Sequence, residues 1–275
     1  VLNIVKGLSI ELDRPYETRD LVPCHLNNED RSHISAEIDS LWHMGVIEKA
    51  THESGEVISP VFAVSKPDGS YRKILNLKHF NQYVKYEHFK MENLDNVLSL
   101  MTKDCFMTSV DLKKAYYSVM IAPSSRKYLK FFWDGQLWQY CSLPNGLSCA
   151  PRVFTRIMKT LFSVLRERGA DCVFYIDDSI FVDSLYDNCK SHTAHARHVL
   201  ESAGFRIHET KSVMDPTQSI TFLGFILNSR TMTVSISQVK IDKLQSMVNE
   251  LLCSDRVVIE RLAQVIGFII SCMRA

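Results

Sequence analysis

The sequence predicts an α+β fold, and three observations carry that reading. Short apolar runs bounded by Gly, Asp and Asn recur along the chain, with the length and composition of strands. Between them lie segments of helical periodicity, at 34–42, 94–101 and 154–165. Strands and helices follow one another irregularly, without the regular alternation of a wound parallel sheet.

In chain order, residues 1–30 read as an irregular, acidic arm. Ile34, Ile38, Leu41 and Trp42 fall at helical spacing, and Gly45 ends that helix. The apolar run 59–65 and the strand 71–77 flank Pro67-Asp68-Gly69, which has the residues of a type I turn. Leu94, Val97, Leu98 and Met101 make a second amphipathic helix, and 106–110 reads as a buried strand ending at Asp111. Residues 128–133 and 136–141 flank Asp134-Gly135, a strong hairpin signal. A longer helix carries Phe154, Ile157, Met158, Leu161 and Leu165 on one face and closes at Gly169. Apolar arms at 172–176 and 179–182 enclose Asp177-Asp178, and a helix over about 185–203 stops at Gly204. Strands at 221–227 and 231–235 pair across Asn228-Ser229-Arg230, and the last forty residues read as helical.

Composition bounds the function classes. The 275 residues, 46% hydrophobic and 23% charged, suffice for a core and two or three subdomains. No apolar run approaches the ~20 residues of a membrane span, which predicts no membrane partner. The N-terminus lacks both a signal-peptide pattern and an initiator Met, so a segment of a longer polyprotein is expected. Cys24, Cys105, Cys141, Cys149, Cys172, Cys189, Cys253 and Cys272 are scattered with no Cys-x-x-Cys. That pattern predicts reduced thiols in an intracellular protein, cytoplasmic or nuclear, without a zinc site. Net charge is +1, but residues 1–60 hold 5 Lys/Arg against 11 Asp/Glu. Six Lys/Arg (Lys66, Arg72, Lys73, Lys78, Lys85, Lys90) crowd 66–90, a basic patch that suits phosphate and equally suits a solvated face.

The chemistry centres on Tyr175-Ile176-Asp177-Asp178, two adjacent carboxylates between apolar strands. Neighbouring anions repel and are expensive to hold near a core, and a hard divalent cation such as Mg²⁺ removes that penalty. Asp111 also ends an apolar strand; if the strands are neighbours, three carboxylates converge where two ions can activate a hydroxyl and steady a leaving pyrophosphate. Taken alone, the Asp-Asp pair reads more simply as a hairpin turn.

The surrounding motifs resemble the reverse transcriptase family, from about Ser59 to the C-terminus and in order. Tyr175-Ile176-Asp177-Asp178 is similar to its Tyr-x-Asp-Asp box, and Ser109-Val110-Asp111-Leu112-Lys113-Lys114-Ala115-Tyr116-Tyr117 to its first carboxylate motif. Leu143-Pro144-Asn145-Gly146-Leu147-Ser148-Cys149-Ala150-Pro151 resembles the loop-then-helix motif under template and incoming nucleotide. Ile74-Leu75-Asn76-Leu77-Lys78-His79-Phe80-Asn81, with 231–235, is worded most like DIRS-type retrotransposons, with gypsy-like elements next.

The resemblance implies a right-hand polymerase fold: an N-terminal arm at 1–30, fingers and palm entry at 31–104, and palm with the first Asp at 105–125. Fingers return at 126–168, palm with the box and primer grip fills 169–235, and a partial thumb covers 236–275. It implies an RNA-directed DNA polymerase with Asp111, Asp177 and Asp178 as catalytic metal ligands for two Mg²⁺, or Mn²⁺ in their place. Its partners are an RNA or DNA template, a DNA or RNA primer and deoxynucleoside triphosphates, with further polyprotein domains such as ribonuclease H. Lys66 and Arg72 reach the triphosphate, Asn145 and Gly146 lie by the nucleotide, and the Tyr116 ring excludes a ribose 2′-hydroxyl. Lys211 is placed to protonate pyrophosphate, and Phe222-Leu223-Gly224-Phe225 resembles the primer grip, although its aromatics equally suit a core. Two departures stand out: Asn145, where retroviral enzymes carry Gln and gypsy-like elements Phe, and Ile176 in place of Met. The alternatives are a domesticated or truncated copy that binds without polymerising, and an RNA-dependent RNA polymerase, against which Tyr175 and Tyr116 argue.

Overall fold

Acidic and glycine-bearing turns cut this chain into strands of three to six residues, each too short to bury its apolar face without partners. The computed structural model describes residues 1–17, 28–65, 71–254 and 256–273. Its strands are β1 (Ile47–Lys49), β2 (Val61–Ser65), β3 (Tyr71–Leu75), β4 (Phe106–Asp111), β5 (Lys130–Trp133) and β6 (Gln136–Tyr140). They continue as β7 (Asp171–Tyr175), β8 (Asp178–Asp183), β9 (Val213–Thr217), β10 (Ser219–Phe222), β11 (Phe225–Asn228) and β12 (Thr233–Ile236). The helices are α1 (Leu2–Val5), α2 (Asn28–His43), α3 (Leu94–Leu100), α4 (Pro123–Arg126), α5 (Ala150–Glu167), α6 (Tyr186–Ser202), α7 (Gln238–Leu252) and α8 (Ile259–Cys272).

The chain divides into two compact units, each built from two separate stretches. The first comprises Val1–Met91 and Lys114–Thr160. Its sheet has the order β1-β6-β5, and β2 pairs with β3 in a separate hairpin. Helix α2 packs against β1, β2 and β3, burying Ile34, Ile38 and Leu41.

The second unit comprises Glu92–Lys113 and Leu161–Ala275. Its antiparallel sheet runs β7-β8-β4-β9, with β10-β11-β12 as a second sheet. One face of the four-stranded sheet joins α3 and the small sheet in a single core of Leu94, Val97, Met107, Ile180, Val182, Phe222 and Leu227, among others. The opposite face receives Cys189, Thr193, Ala196 and Leu200 of α6, all buried. There the buried Thr108 and Thr193 hydroxyls hydrogen-bond each other, and Thr193 also donates to the Cys189 carbonyl, so neither is left unsatisfied. Pro216 sits on β9, an edge strand, where a missing N–H breaks no inner ladder.

Several expectations need correction. The run 221–227 is not one strand: β10 stops at Phe222, Leu223 and Gly224 turn with φ of 50° and 77°, and β11 returns from Phe225. An apolar run hides a two-residue turn when its first residue is Leu rather than Asn or Asp. Trp42 lies at the edge of the α2 stripe and is 44% exposed, its ring edge-on to Trp138. In α5 the core residue is Phe162, fully buried, rather than Leu161. The arm is not wholly irregular, since Leu2–Val5 forms α1, and the 71–77 strand ends at Leu75. The Pro67-Asp68-Gly69 turn lies outside the described residues.

Lys130 begins β5 with its side chain fully buried. Its ammonium donates to the Thr51 carbonyl at 2.7 Å and to Glu56 Oε2 at 2.8 Å, and it pairs with Glu53 Oε1 at 2.8 Å. Burial pushes the Glu56 carboxyl up, but hydrogen bonds from Lys130, His52 and the Glu53 N–H outweigh it and hold the group below the ordinary range. A depressed carboxyl contributes stability above its unfolded value and loses it as pH falls through the folded one. Lys130→Met therefore leaves the partly buried Glu56 carboxylate with only His52 and the Glu53 N–H, and about 3 kcal/mol of stability should be lost at pH 7. That penalty should shrink as pH falls below the ordinary carboxylate range, where Glu56 takes up a proton. Urea unfolding of both proteins at pH 7 and pH 3.5 checks the magnitude and the sign.

Candidate active site: a carboxylate cluster at a strand end

Strands β4 and β8 pair over their whole length, from Phe106↔Asp183 to Asp111↔Asp178. Register partners share a face, so Met107 with Val182, Ser109 with Ile180 and Asp111 with Asp178 form one column. The column runs from core to solvent and ends in two facing carboxylates. Asp177 follows in the two-residue loop between β7 and β8, and its carbonyl accepts the Leu112 N–H at 2.9 Å. Asp111 thus meets the Asp177-Asp178 pair, distant in sequence, at one end of the sheet.

The loop carries an unusual backbone. Ile176 has φ of 56°, a region that β-branched residues seldom enter and that costs roughly 1–3 kcal/mol. The flanking Tyr175↔Asp178 pair closes the loop with both neighbours on strands. The geometry is over-determined by the hairpin and by the Leu112 hydrogen bond, which is how such a conformation persists.

Asp111 is held from a second side. Its N–H donates to Ser212 Oγ at 3.0 Å, and its carbonyl accepts the His208 N–H at 2.8 Å. The Asp111 side chain is 16% exposed, and Lys211 Nζ stands 3.9 Å from its Oδ2. Burial, then the charges of Asp177 and Asp111 and a hydrogen bond shared with Asp111, pushes the Asp178 carboxyl up to about 6. Lys211 opposes that shift without cancelling it.

These donors suit a divalent cation: all are hard carboxylate oxygens, and their mutual repulsion is what such an ion relieves. Among the described residues no group of three His, Cys, Asp or Glu already stands in a ligating arrangement. The backbone brings the three together, and the side chains close on an ion only by adjusting rotamers.

The remaining candidates fall elsewhere. Lys66 lies outside the described residues; Arg72 is on β3 opposite Val64, and its side chain is not among those described. In the first unit, Tyr116 occupies a 3-10 turn after Lys114, which has φ of 54°, and its ring meets Phe154 edge-on at 5.3 Å. Asn145 is exposed, and Gly146 has φ of 91°. The Asn81 side chain clamps this loop, donating to the Gly146 carbonyl at 2.8 Å and accepting the Ser148 N–H at 2.9 Å. Asn81 closes the 74–81 motif, and nothing local in the sequence marks it as the clamp. Within the basic patch Lys85 is already engaged, 2.8 Å from Glu11 and 3.8 Å from Glu87.

In the second unit, Phe222 and Phe225 are buried in the core beneath the Leu223-Gly224 turn. A side chain on Gly224 would meet Lys240 Cε at 2.6 Å, and the Lys240 ammonium lies 4.1 Å over the Phe225 ring. The aromatics anchor the turn, and the turn itself is half-buried.

Comparison with known proteins gives the family and the fold. The family model for reverse transcriptase (RNA-dependent DNA polymerase) matches residues 64–227. The chain belongs to that family. Curated relatives include the Transposon Tf2-7 and Tf2-3 polyproteins of Schizosaccharomyces pombe, 25% and 26% identical over 191 residues. Those matches cover 67% of this chain and 14% of each relative, so the chain spans about a seventh of their length. Among solved structures, the foamy viral protease-reverse transcriptase in complex with dsDNA aligns with a TM-score of 0.78 at 21% identity, over 97% of this chain and 51% of that one. The same viral protein in complex with RNA/DNA hybrid aligns at 0.73 and 21% identity, over 97% and 33%. The fold is therefore the α+β fold of a viral polymerase.

If the cluster takes a divalent ion, saturating Mg²⁺ should raise the melting temperature of the chain by about 2–8 °C over its EDTA-treated form. The Asp111→Asn/Asp178→Asn double variant should show no such rise in differential scanning calorimetry.

Proposed function

We propose that this chain is an RNA-directed DNA polymerase of a retrotransposon, extending a primer 3′ end with deoxynucleotides on a nucleic-acid template. The observation that carries the reading is the pairing of Asp111 with Asp178 beside Asp177, in a chain of the reverse transcriptase family. Two divalent cations, Mg²⁺ or Mn²⁺, would be held by Asp111, Asp177 and Asp178, lowering the pKa of the primer hydroxyl and offsetting charge on the leaving pyrophosphate.

The chain's own groups do the rest. Asp111 is fixed by β4, Asp178 by β8 and Asp177 by the β7–β8 loop, so the backbone positions of the three are set by paired strands. Lys211 supplies an ammonium next to this cluster, suited to donate a proton to pyrophosphate as it departs. The Tyr116 ring, braced by Phe154, stands as the barrier to a ribose 2′-hydroxyl. Asn81 holds the Gly146–Ser148 loop as a floor for the incoming nucleotide, with Asn145 at its surface. The family resemblance assigns Lys66 and Arg72 to the triphosphate and the Leu223-Gly224 turn to the primer.

In this reading the fingers comprise 31–104 and 126–168, the palm 105–125 and 169–235, and 236–275 opens a thumb. The wording of 74–81 and 231–235 supports a DIRS-type element, with gypsy-like elements next. Template recognition is expected through the backbone of an A-like duplex, with affinity falling steeply as salt rises.

Primer extension on an RNA template with Mg²⁺ tests the proposal. Asp111→Asn and Asp177→Asn should each lower the rate by about 10²- to 10³-fold while primer–template affinity holds. Undiminished synthesis by either variant overturns the assignment. Tyr116→Val should keep deoxynucleotide incorporation and raise ribonucleotide incorporation by roughly 10- to 200-fold, measured as the ratio of kcat/KM values.

A further inference from the structure

Strand β9 runs beside β4 but does not accompany it to the end. The pairing registers at Met107↔Thr217 and Ser109↔Val213 with an irregularity between them. Beyond Ser109 the chain preceding β9 leaves the ladder and bends through His208–Ser212. The Asp111 N–H, pointing to that side, would face a strand that is no longer there.

The Ser212 hydroxyl takes its place. It accepts the Asp111 N–H at 3.0 Å and donates its own proton to the His208 carbonyl at 3.0 Å. His208 in turn donates its N–H to the Asp111 carbonyl at 2.8 Å, so both main-chain groups of Asp111 are held by one short segment. The neighbouring Leu112↔Ile207 bridge and the Lys113 N–H on the Arg206 carbonyl at 2.7 Å continue the contact. Ser212 is the side chain in this set that completes a backbone ladder.

We propose that Ser212 is a positioning residue for Asp111, its hydroxyl standing in for the missing strand and fixing the direction in which the carboxylate leaves β4. The inference rests on the polymerase reading only for its effect on rate; the hydrogen bond and its effect on ion binding stand apart from it. Lys211, the preceding residue, reaches the same carboxylate with its side chain, so the two neighbours act on Asp111 from main chain and side chain. Threonine retains the donor and the acceptor, whereas alanine removes both.

The experiment uses the full chain with Ser212→Ala and Ser212→Thr. Amide hydrogen exchange at Asp111 should quicken about tenfold or more in Ser212→Ala and stay near the parent rate in Ser212→Thr. Mn²⁺ affinity, read by calorimetry without substrates, should weaken several-fold in the alanine variant alone. In primer extension, Ser212→Ala should lose about tenfold in kcat with KM for deoxynucleotide and primer–template affinity unchanged, and Ser212→Thr should recover most of it. Unchanged Asp111 exchange in Ser212→Ala overturns the proposal, as does an equal loss in both variants. If the parent chain fails to extend any primer, the polymerase reading falls, while exchange and Mn²⁺ affinity still decide the role of Ser212.

Discussion

The antiparallel register between β4 and β8 is the constraint on which the site depends. A slip of one residue would set Val110 opposite Asp178 and send Asp111 to the other face of the sheet. The side chains forbid that slip. Met107, Ile180 and Val182 belong to the core with α3 and the small sheet, while Thr108 and Phe181 lie on the opposite face, toward Thr193 and Phe162. Exchanging the faces would move a paired hydroxyl into an apolar cluster and Met107 out of it. Each fully buried aliphatic side chain is worth about 1.5–3 kcal/mol, and Met107, Val110, Ile180 and Val182 are all buried along these two strands, against roughly 4 kcal/mol for one pair of half-buried carboxylates 4 Å apart. The core therefore sets the register, and the carboxylates follow it into mutual repulsion.

Much of this was legible in the sequence because apolar strands announce themselves and carboxylates at their ends stand out. The Asp134-Gly135 hairpin, the strand ending at Asp111 and the turn at Asp177-Asp178 all rest on contrasts between adjacent residues. What escaped depends on contacts between distant residues. Lys130 lies in an apolar run, and only the folded chain shows the Glu53 and Glu56 carboxylates that let a lysine be buried. Ser212 becomes significant because β9 leaves β4 one step early, an irregularity without a sequence signature. Asn81 acts on a loop 65 residues away. Period and propensity report on neighbours along the chain, and these roles are set by neighbours in space.

The two hairpin turns at 176 and 223 escape local reading for a related reason. Ile176 and Leu223 both take positive φ, at 56° and 50°, where turn chemistry calls for Asn, Asp or Gly. Each is a bulky residue in a place that disfavours it, so local propensity argues for continuing the strand. At 223 that argument produced one long strand instead of a hairpin. At 176 the following Asp pair supplied the turn signal. Both turns are held by the sheets they close, with Tyr175↔Asp178 and Phe222↔Phe225 as the last pairs. A local conflict of this kind, outvoted by tertiary pairing, concentrates where geometry matters more than stability.

The charge balance at the cluster bears on how a polyanionic substrate could approach at all. Among the described residues, Lys211 is the ammonium paired with the cluster of three carboxylates, and at 63% exposure it is largely screened. Raising Asp178 to about 6 leaves it mainly ionised at pH 7, so the local excess remains negative. A triphosphate entering such a field would be repelled, and one solvated lysine is too weak to reverse the sign. Cations that bind the carboxylates thus have two effects: they relieve the repulsion that the β4–β8 register imposes, and they turn a site hostile to phosphate into one that attracts it. The same repulsion that makes the cluster unfavourable without ions would make their binding favourable, so under the proposed function ion occupancy and substrate entry would be coupled through the strand register.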